Sequence, residues 1–253
     1  MQNEILLALS LIFIFGGVLV MYRIFGITGL YCATVIATIT ANIEVLLMVD
    51  AYGMEQTLGN ILFAATFLIT DILSENHGKA AAQKAVNIGI ATTLSFILIS
   101  QSWLLYTPAE SDWARGSFEV IFSNTPRLMI VSLVVYAVCQ RFDVWAYHKW
   151  WAFTEKRCGD ARAFLWLRNN GSTMISQALN TVLYSFGAFW GMYDITTLIH
   201  ICISSYVIFI VTSLADTPAV YLARRIKDRH QVKVSEVYNR GFPARRRFCL
   251  KAF

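Results

Sequence analysis

The sequence predicts an all-α fold, a polytopic transmembrane bundle of about seven helices. Of the 253 residues, 57% are hydrophobic and only 15% are charged, whereas a soluble domain carries about 25% charged residues. The apolar residues form long blocks, and about 20 such residues let a helix cross the hydrocarbon core. The alternating ten-residue segments of a membrane β-barrel are not apparent in the sequence.

Seven segments are long and apolar enough to be spans. They cover residues 4–21, 27–49, 57–73, 85–106, 128–148, 172–191 and 197–222. We interpret the first as a retained span, because no basic region precedes it and no small-residue cleavage site follows it. Residues 1–223 then form a single membrane domain, and residues 224–253 form a basic tail.

The basic residues predict the orientation of these spans. All but two of the 21 Lys and Arg residues lie in the odd-numbered connections between spans or in the tail. Because basic loops stay on the cytoplasmic side, we expect the N-terminus outside and the C-terminus in the cytoplasm. Residues 150–167 mix aromatic and basic side chains, which predicts a helix on the inner membrane surface.

Several classes of protein find no support in the sequence. No P-loop, HExxH or GxSxG motif occurs, so an enzyme of those types is not predicted. The five cysteines form no CxxC pair, and we therefore expect no metal site, no cofactor and no disulfide framework. The positive charge follows the membrane topology and does not indicate nucleic-acid binding.

Polar residues within the third and fifth spans indicate where a site could lie. Such residues are costly in lipid and usually face a bundle interior or a cavity. Asp71 and Glu75 are four residues apart, so they share one helix face, and Gln140 and Asp143 do likewise. In the predicted topology both pairs lie toward the cytoplasmic half of the membrane.

The sixth span adds a polar stripe at helical spacing. Thr173, Gln177, Asn180 and Tyr184 form this stripe at steps of four, three and four, and Asn170 and Ser172 lie where the span begins, toward the cytoplasmic half. Gln177 and Asn180 reach toward the midplane, where transport sites commonly lie. Structural roles are open as well, because the stripe could form hydrogen bonds between helices. The carboxylates could likewise pair with Arg141 and Arg168.

Three segments resemble the queuosine-precursor transporter family. They are TFLITDILSENHGK (66–79), QRFDVWAYHKW (140–150) and LWLRNNGSTMISQALNTVLYSFGAFWG (165–191), in the family's order and spacing. The resemblance implies an inner-membrane importer of 7-deazaguanine bases, namely preQ0, preQ1 or queuine, which supply the queuosine modification of tRNA. It also implies a six-span core, so that residues 4–21 form an added span. Asn180 stands where other members can carry Asp.

Such a flat base would need hydrogen-bonding partners and an aromatic surface. A carboxylate can accept its two adjacent N–H donors and an amide can serve its carbonyl, as in base-edge readout, while aromatic rings can stack on it. The candidate substrate-binding residues are Asn42, Phe67, Asp71, Glu75, Gln140, Asp143, Asn170, Gln177, Asn180, Tyr184 and Trp190.

An alternative function is a substrate-binding membrane subunit of an ATP-driven vitamin or nucleobase uptake complex. The base and the lipid bilayer are the predicted partners, whereas an ATPase partner and a homodimer stay open. An intramembrane enzyme is not predicted, because no nucleophile–base pair and no metal-ligand set appears.

Overall fold

The computed structural model describes residues 2–123, 126–159 and 164–241. Within them lie seven helices and one β-hairpin, which confirms the predicted all-α bundle. The elements are α1 (Gln2–Glu44), β1 (Met48–Ala51), β2 (Met54–Thr57), α2 (Gly59–His77), α3 (Lys79–Trp103), α4 (Arg115–Ser123), α5 (Pro126–Cys158), α6 (Leu165–Phe189) and α7 (Ile195–Gly241).

Helix α1 consists of two antiparallel halves that meet at Gly26. This residue has φ 59° and ψ −140°, a conformation that glycine adopts without steric cost. Near the beginning of the first half, the Asn3 amide donates to the backbone carbonyl of Asp50, which follows the second half, at 2.8 Å. The two halves therefore correspond to the predicted spans 4–21 and 27–49.

The second of these predicted spans is too long at its end. Helix α1 ends at Glu44, and strands β1 and β2 then pair in antiparallel register. The residues between the strands, Tyr52 and Gly53, have φ values of 55° and 72°. Two consecutive positive φ values fit the two-residue type I′ turn that matches the twist of a hairpin. Residues 45–49 therefore lie outside helix α1, because this turn lets strand β2 fold back and pair with strand β1.

Helix α2 lies at the centre of the bundle and packs against α1, α3, α5 and α7. Almost every side chain along it is buried. Leu68 and Ile72 belong to the main apolar core, together with residues of α1, α3 and α7. Because other helices enclose it, α2 can carry carboxylates without exposing them to lipid.

The outer surface of the bundle is apolar, as expected for contact with lipid. Large side chains are exposed there, including Phe13 at 80%, Leu98 at 64% and Val211 at 58%. By length and composition, four helices could cross a membrane, namely α1, α3, α5 and α7. Helices α2 and α6 are less apolar because they carry many of the buried polar residues. The protein is therefore a multi-pass membrane protein.

Helices α5 and α7 extend beyond their predicted spans. Residues 150–158 form the end of α5, and α6 already begins at Leu165, so the predicted surface helix over 150–167 is wrong. Helix α7 passes residue 223 without interruption and continues to Gly241. The predicted boundary of the tail thus lies within a helix, and residues 242–253 of that tail lie outside the described residues.

The bundle has two distinct ends. The hairpin end comprises residues 48–57 and the α6–α7 connection, where α7 contacts β2. At the other end, Lys227 donates to the backbone carbonyl of Asn76, and the Tyr22 hydroxyl lies 3.0 Å from His77 Nε2. We call this the basic end. The turn within α1, the α2–α3 connection and α7 beyond residue 223 therefore meet at one end of the molecule, and the charge pattern had assigned all three to one side of the membrane.

Candidate functional site

A cavity of about 290 Å³ lies at the hairpin end, bordered by the hairpin, α2, α6 and α7. Its polar side chains are amides and hydroxyls: Gln56, Thr57, Asn60, Asn180, Thr181, Tyr184, Ser185, Tyr193, Thr197 and Ser205. None of the described residues that line it is charged. An apolar cavity with a few polar groups is typical of a site for a small molecule.

Aromatic rings form part of the cavity wall. Tyr184 and Phe189 meet edge to face with ring centroids 5.9 Å apart, and Phe189 lies 5.8 Å from Tyr193. The Tyr184 hydroxyl and the Asn60 amide nitrogen are buried and have no hydrogen-bond partner among the described residues. Because buried polar atoms are nearly always hydrogen-bonded, these two atoms mark places where a ligand or a water molecule can bind.

The cavity narrows toward the centre of the bundle. A second space of about 40 Å³ continues between α2, α5 and α6. It shares Asn60 and Asn180 with the larger cavity, and Phe63 lines it from α2. The next aromatic residue along α2, Phe67, is fully buried, and its ring lies 5.5 Å from that of Phe63. Phe67 therefore separates the cavity from the polar residues beyond it.

Gln140 joins α5 to α2 at the level of Phe67. Its amide nitrogen donates to the Thr66 hydroxyl at 2.6 Å, and its carbonyl oxygen accepts from the Thr70 hydroxyl at 3.1 Å. The side chain is fully buried. Since both ends of the amide are already bonded, Gln140 has a structural role in this conformation.

Two buried aspartates lie one turn further toward the basic end. Asp71 accepts from the Thr173 hydroxyl at 3.0 Å, and Asp143 accepts from the Ser176 hydroxyl at 2.9 Å. The two carboxyls also interact with each other. One oxygen of each has no hydrogen-bond partner among the described residues. These two oxygens can accept a proton or the N–H groups of a ligand.

A third buried aspartate, Asp216, links α7 to α6. Its carboxylate accepts from the Asn169 amide at 2.6 Å. The neighbouring Asn170 donates to the Thr217 hydroxyl at 2.7 Å and accepts from the Ser213 hydroxyl at 3.3 Å. These hydrogen bonds fix the first turns of α6 against α7.

Glu75 and Arg168 form an ion pair at the basic end. Their side chains are 4% and 0% exposed, and the guanidinium Nε and Nη2 atoms donate to the carboxylate at 3.0 Å and 2.7 Å. The Tyr147 hydroxyl donates to the same carboxylate at 2.8 Å. The Trp151 ring centroid lies 4.3 Å from the guanidinium carbon. This bidentate pair joins α2 to α6 and closes the basic end.

Most of the predicted site residues form one column through the centre of the bundle. From the hairpin end to the basic end these are Tyr184, Asn180, Gln177, Phe67, Gln140, Asp143, Asp71, Asn170 and Glu75. Only Asn180 and Tyr184 among them line the large cavity. The Gln177 carbonyl oxygen accepts weakly from the Asn180 amide at 3.4 Å.

Two predicted site residues lie elsewhere. Asn42 is buried on α1, where its amide donates to the Thr38 carbonyl at 2.7 Å. Trp190 is 57% exposed, and its backbone carbonyl accepts from Arg127 at 2.8 Å. Neither residue is among those that line the cavity, and α6 ends at Phe189, just before Trp190.

The structure decides which of the ion pairs left open by the sequence are formed. Glu75 does pair with Arg168, whereas Asp143 faces Ser176 and not Arg141. Arg141 is exposed, and its Nη2 atom lies 3.4 Å from the side-chain amide oxygen of Asn87. Residues two apart on a helix point to different faces, which explains why Arg141 and Asp143 do not meet.

Sequence reasoning missed three residues that the structure places in this column or beside it. Asn60 lines the cavity, Tyr147 bonds Glu75, and Asp216 holds α6. A signal existed for two of them, because Asn60 and Asp216 are polar residues within apolar segments. Tyr147 lies near the end of a predicted span, where its residue type indicated only an aromatic side chain at the membrane interface.

Comparison with known proteins identifies the class of this membrane protein. Residues 57–223 match the family described as "Putative vitamin uptake transporter", and the chain belongs to this family of transporters. The match spans α2 to α7 up to residue 223, which include the column of polar residues and most of the residues that line the cavity.

A more specific relative is a Bacillus subtilis (strain 168) protein named "Probable queuosine precursor transporter". The two are 37% identical over 209 residues, which cover 83% of this chain and 89% of the relative. No solved structure matches the chain.

Proposed function

We propose that this chain imports queuosine precursors, 7-deazaguanine bases such as preQ0, preQ1 or queuine, across the inner membrane for the modification of tRNA. The observation that carries the proposal is the 37% identity to a protein named "Probable queuosine precursor transporter", over 89% of that protein's length. The family-like segments 66–79, 140–150 and 165–191 lie on α2, α5 and α6. These helices contribute the buried polar column, which supports a role of that column in transport.

The base binds in the cavity at the hairpin end. Its flat ring lies against the aromatic wall formed by Tyr184 and Phe189, and stacking of this kind contributes about 1–3 kcal/mol per base. Asn60 and Asn180 offer amide donors and acceptors to the base edge. The two buried atoms without partners, on Asn60 and Tyr184, would gain hydrogen bonds when the base is present.

Transport requires the base to pass from the cavity to the basic end. The route follows the column, past Gln177 and Phe67 and then along Asp143 and Asp71. The Gln177 amide nitrogen and one carboxylate oxygen of each aspartate have no partner among the described residues, so they can donate to and accept from the base in transit. In the present conformation the Glu75–Arg168 pair closes that end. The protein is therefore in a state open toward the hairpin end, and opening of the basic end would require this pair to separate.

The direction of transport follows from the predicted orientation. The basic residues favour a cytoplasmic basic end, which puts the hairpin end and its cavity on the outside. A cavity open to the outside and a closed cytoplasmic end are the arrangement expected of an importer that waits for its substrate.

Uptake measurements test this function directly. The strain should be unable to make 7-deazaguanine bases and should lack other importers. It would express the chain and receive labelled preQ0, preQ1 or queuine, with queuosine in tRNA as a second readout. Asn180→Ala should reduce uptake at low concentration, because it removes an amide from the cavity, while the control Asn87→Ala should not. No accumulation of any of the three bases would refute the proposal.

The same substrates distinguish a stand-alone transporter from a subunit of an ATP-driven complex. Purified chain in liposomes should accumulate or equilibrate the base without added ATPase. Uptake in cells combined with none in liposomes, restored by a co-purifying ATPase, would favour the complex.

A further inference from the structure

The described lining of the cavity is uncharged, and this bears on which ligands can bind there. The described residues that line it provide only neutral polar groups, which are amides and hydroxyls. The nearest carboxylates in the column, Asp71 and Asp143, lie beyond Phe67 and are bonded to α6 hydroxyls. Among the described residues that line the cavity, a ligand therefore meets no carboxylate.

Arg127 and Asp194 adjoin the cavity-lining residues Leu128 and Tyr193, and each is engaged at the end of a helix. Arg127 is exposed and donates to the carbonyls of Gly187 and Trp190 at the end of α6. Asp194 is exposed and accepts from Thr197 at the beginning of α7. The hydrogen bonds from Thr197 lower the pKa of Asp194, so it stays ionised. These two charges are opposite in sign and screened by solvent, so they largely offset each other.

An ammonium group on the ligand would bind poorly in such a cavity. Removing a cation from water is costly unless a buried partner of opposite charge compensates it. The aromatic wall attracts a cation only weakly and does not replace a carboxylate. The amides and hydroxyls, in contrast, match the donor and acceptor pattern of a neutral base edge.

We propose that the cavity selects neutral 7-deazaguanine bases, such as the 7-cyano base preQ0, over bases that carry an ammonium group, such as preQ1 and queuine. This inference rests on the proposed function and makes it more specific. Asn180 and Asn60 are the specificity-determining residues, because an Asp at either position would supply the missing carboxylate without a change of shape.

Competition for uptake tests the selectivity. In cells that express the wild-type chain, unlabelled preQ1 and queuine should need at least about tenfold higher concentrations than unlabelled preQ0 to halve the uptake of labelled preQ0. Asn180→Asp, and independently Asn60→Asp, should reduce that ratio to about one or below. The control Asn87→Asp adds the same charge at an exposed position outside the cavity and should leave the ratio unchanged.

The possible results separate this inference from the function on which it rests. Equal or stronger competition by preQ1 in the wild-type chain overturns the selectivity while uptake of preQ0 still supports the transport function. Absence of uptake for all three bases overturns both. If neither Asp variant reaches the membrane, as measured by the amount of protein there, the wild-type ratio alone decides.

Discussion

The Glu75–Arg168 pair provides the sharpest test of how the basic end is held together. Replacement of one partner leaves the other charge buried without its main counter-charge, which costs about 3–5 kcal/mol in a protein interior. For a chain of this size that corresponds to a fall of roughly 6–20 °C in the unfolding temperature. We therefore expect Glu75→Gln to lower the thermal stability of the purified protein by an amount in this range.

Two further variants make the result specific to the pair. In Arg168→Gln, the nearby Arg224, 3.7 Å from the Glu75 carboxylate, can compensate part of the charge, so we expect a smaller loss. The double variant Glu75→Gln/Arg168→Gln removes both charges and should be more stable than Glu75→Gln alone. This non-additivity is the signature of a direct interaction.

The assay is the temperature at which the detergent-solubilised protein loses its single peak in size-exclusion chromatography. Glu119→Gln is the matched control, because Glu119 is 52% exposed in its pair with Arg115 and such surface pairs contribute about 0–1 kcal/mol. A loss for Glu75→Gln no larger than for Glu119→Gln would refute the reasoning. So would a double variant less stable than both single variants.

Three other predictions follow from packing, the cavity and the topology. Gly89→Ala should destabilise the protein by about 1–3 kcal/mol, because the added methyl group would collide with Tyr136, while Gly16→Ala, which meets nothing within 4 Å, should be tolerated in the same thermal assay. Tyr184→Phe should leave stability unchanged but weaken the apparent affinity for the base about two- to tenfold, and unchanged uptake kinetics would exclude a hydrogen bond to substrate. Cys158 should resist a membrane-impermeant thiol reagent in intact cells and react after permeabilisation, and labelling in intact cells would reverse the predicted orientation.

The sequence was sufficient for the order of the apolar spans, because each predicted span overlaps a helix and the first two both lie in α1, but it did not predict the short helix α4. Long apolar blocks can cross a membrane only as helices, since each backbone group must find its partner within the segment. The spacing of Asp71 and Glu75, and of Gln140 and Asp143, also fixed which residues share a face, because helical geometry is local. The structure accordingly brings these residues toward one column.

The tertiary structure decided which groups in that column pair and which remain available. The choice of Arg168 as the partner of Glu75, and of Ser176 as the partner of Asp143, depends on how α2, α5 and α6 pack together. The hairpin at residues 48–57 likewise forms because two segments pair, and the apolar composition of residues 45–49 could not distinguish this from a longer helix. The sequence by itself thus determined a membrane bundle with a polar interior, since both follow from local geometry and solvation. Only the packing of distant helices decided that the cavity lies at the hairpin end and is lined by neutral groups, and that the buried Glu75–Arg168 ion pair lies at the opposite end.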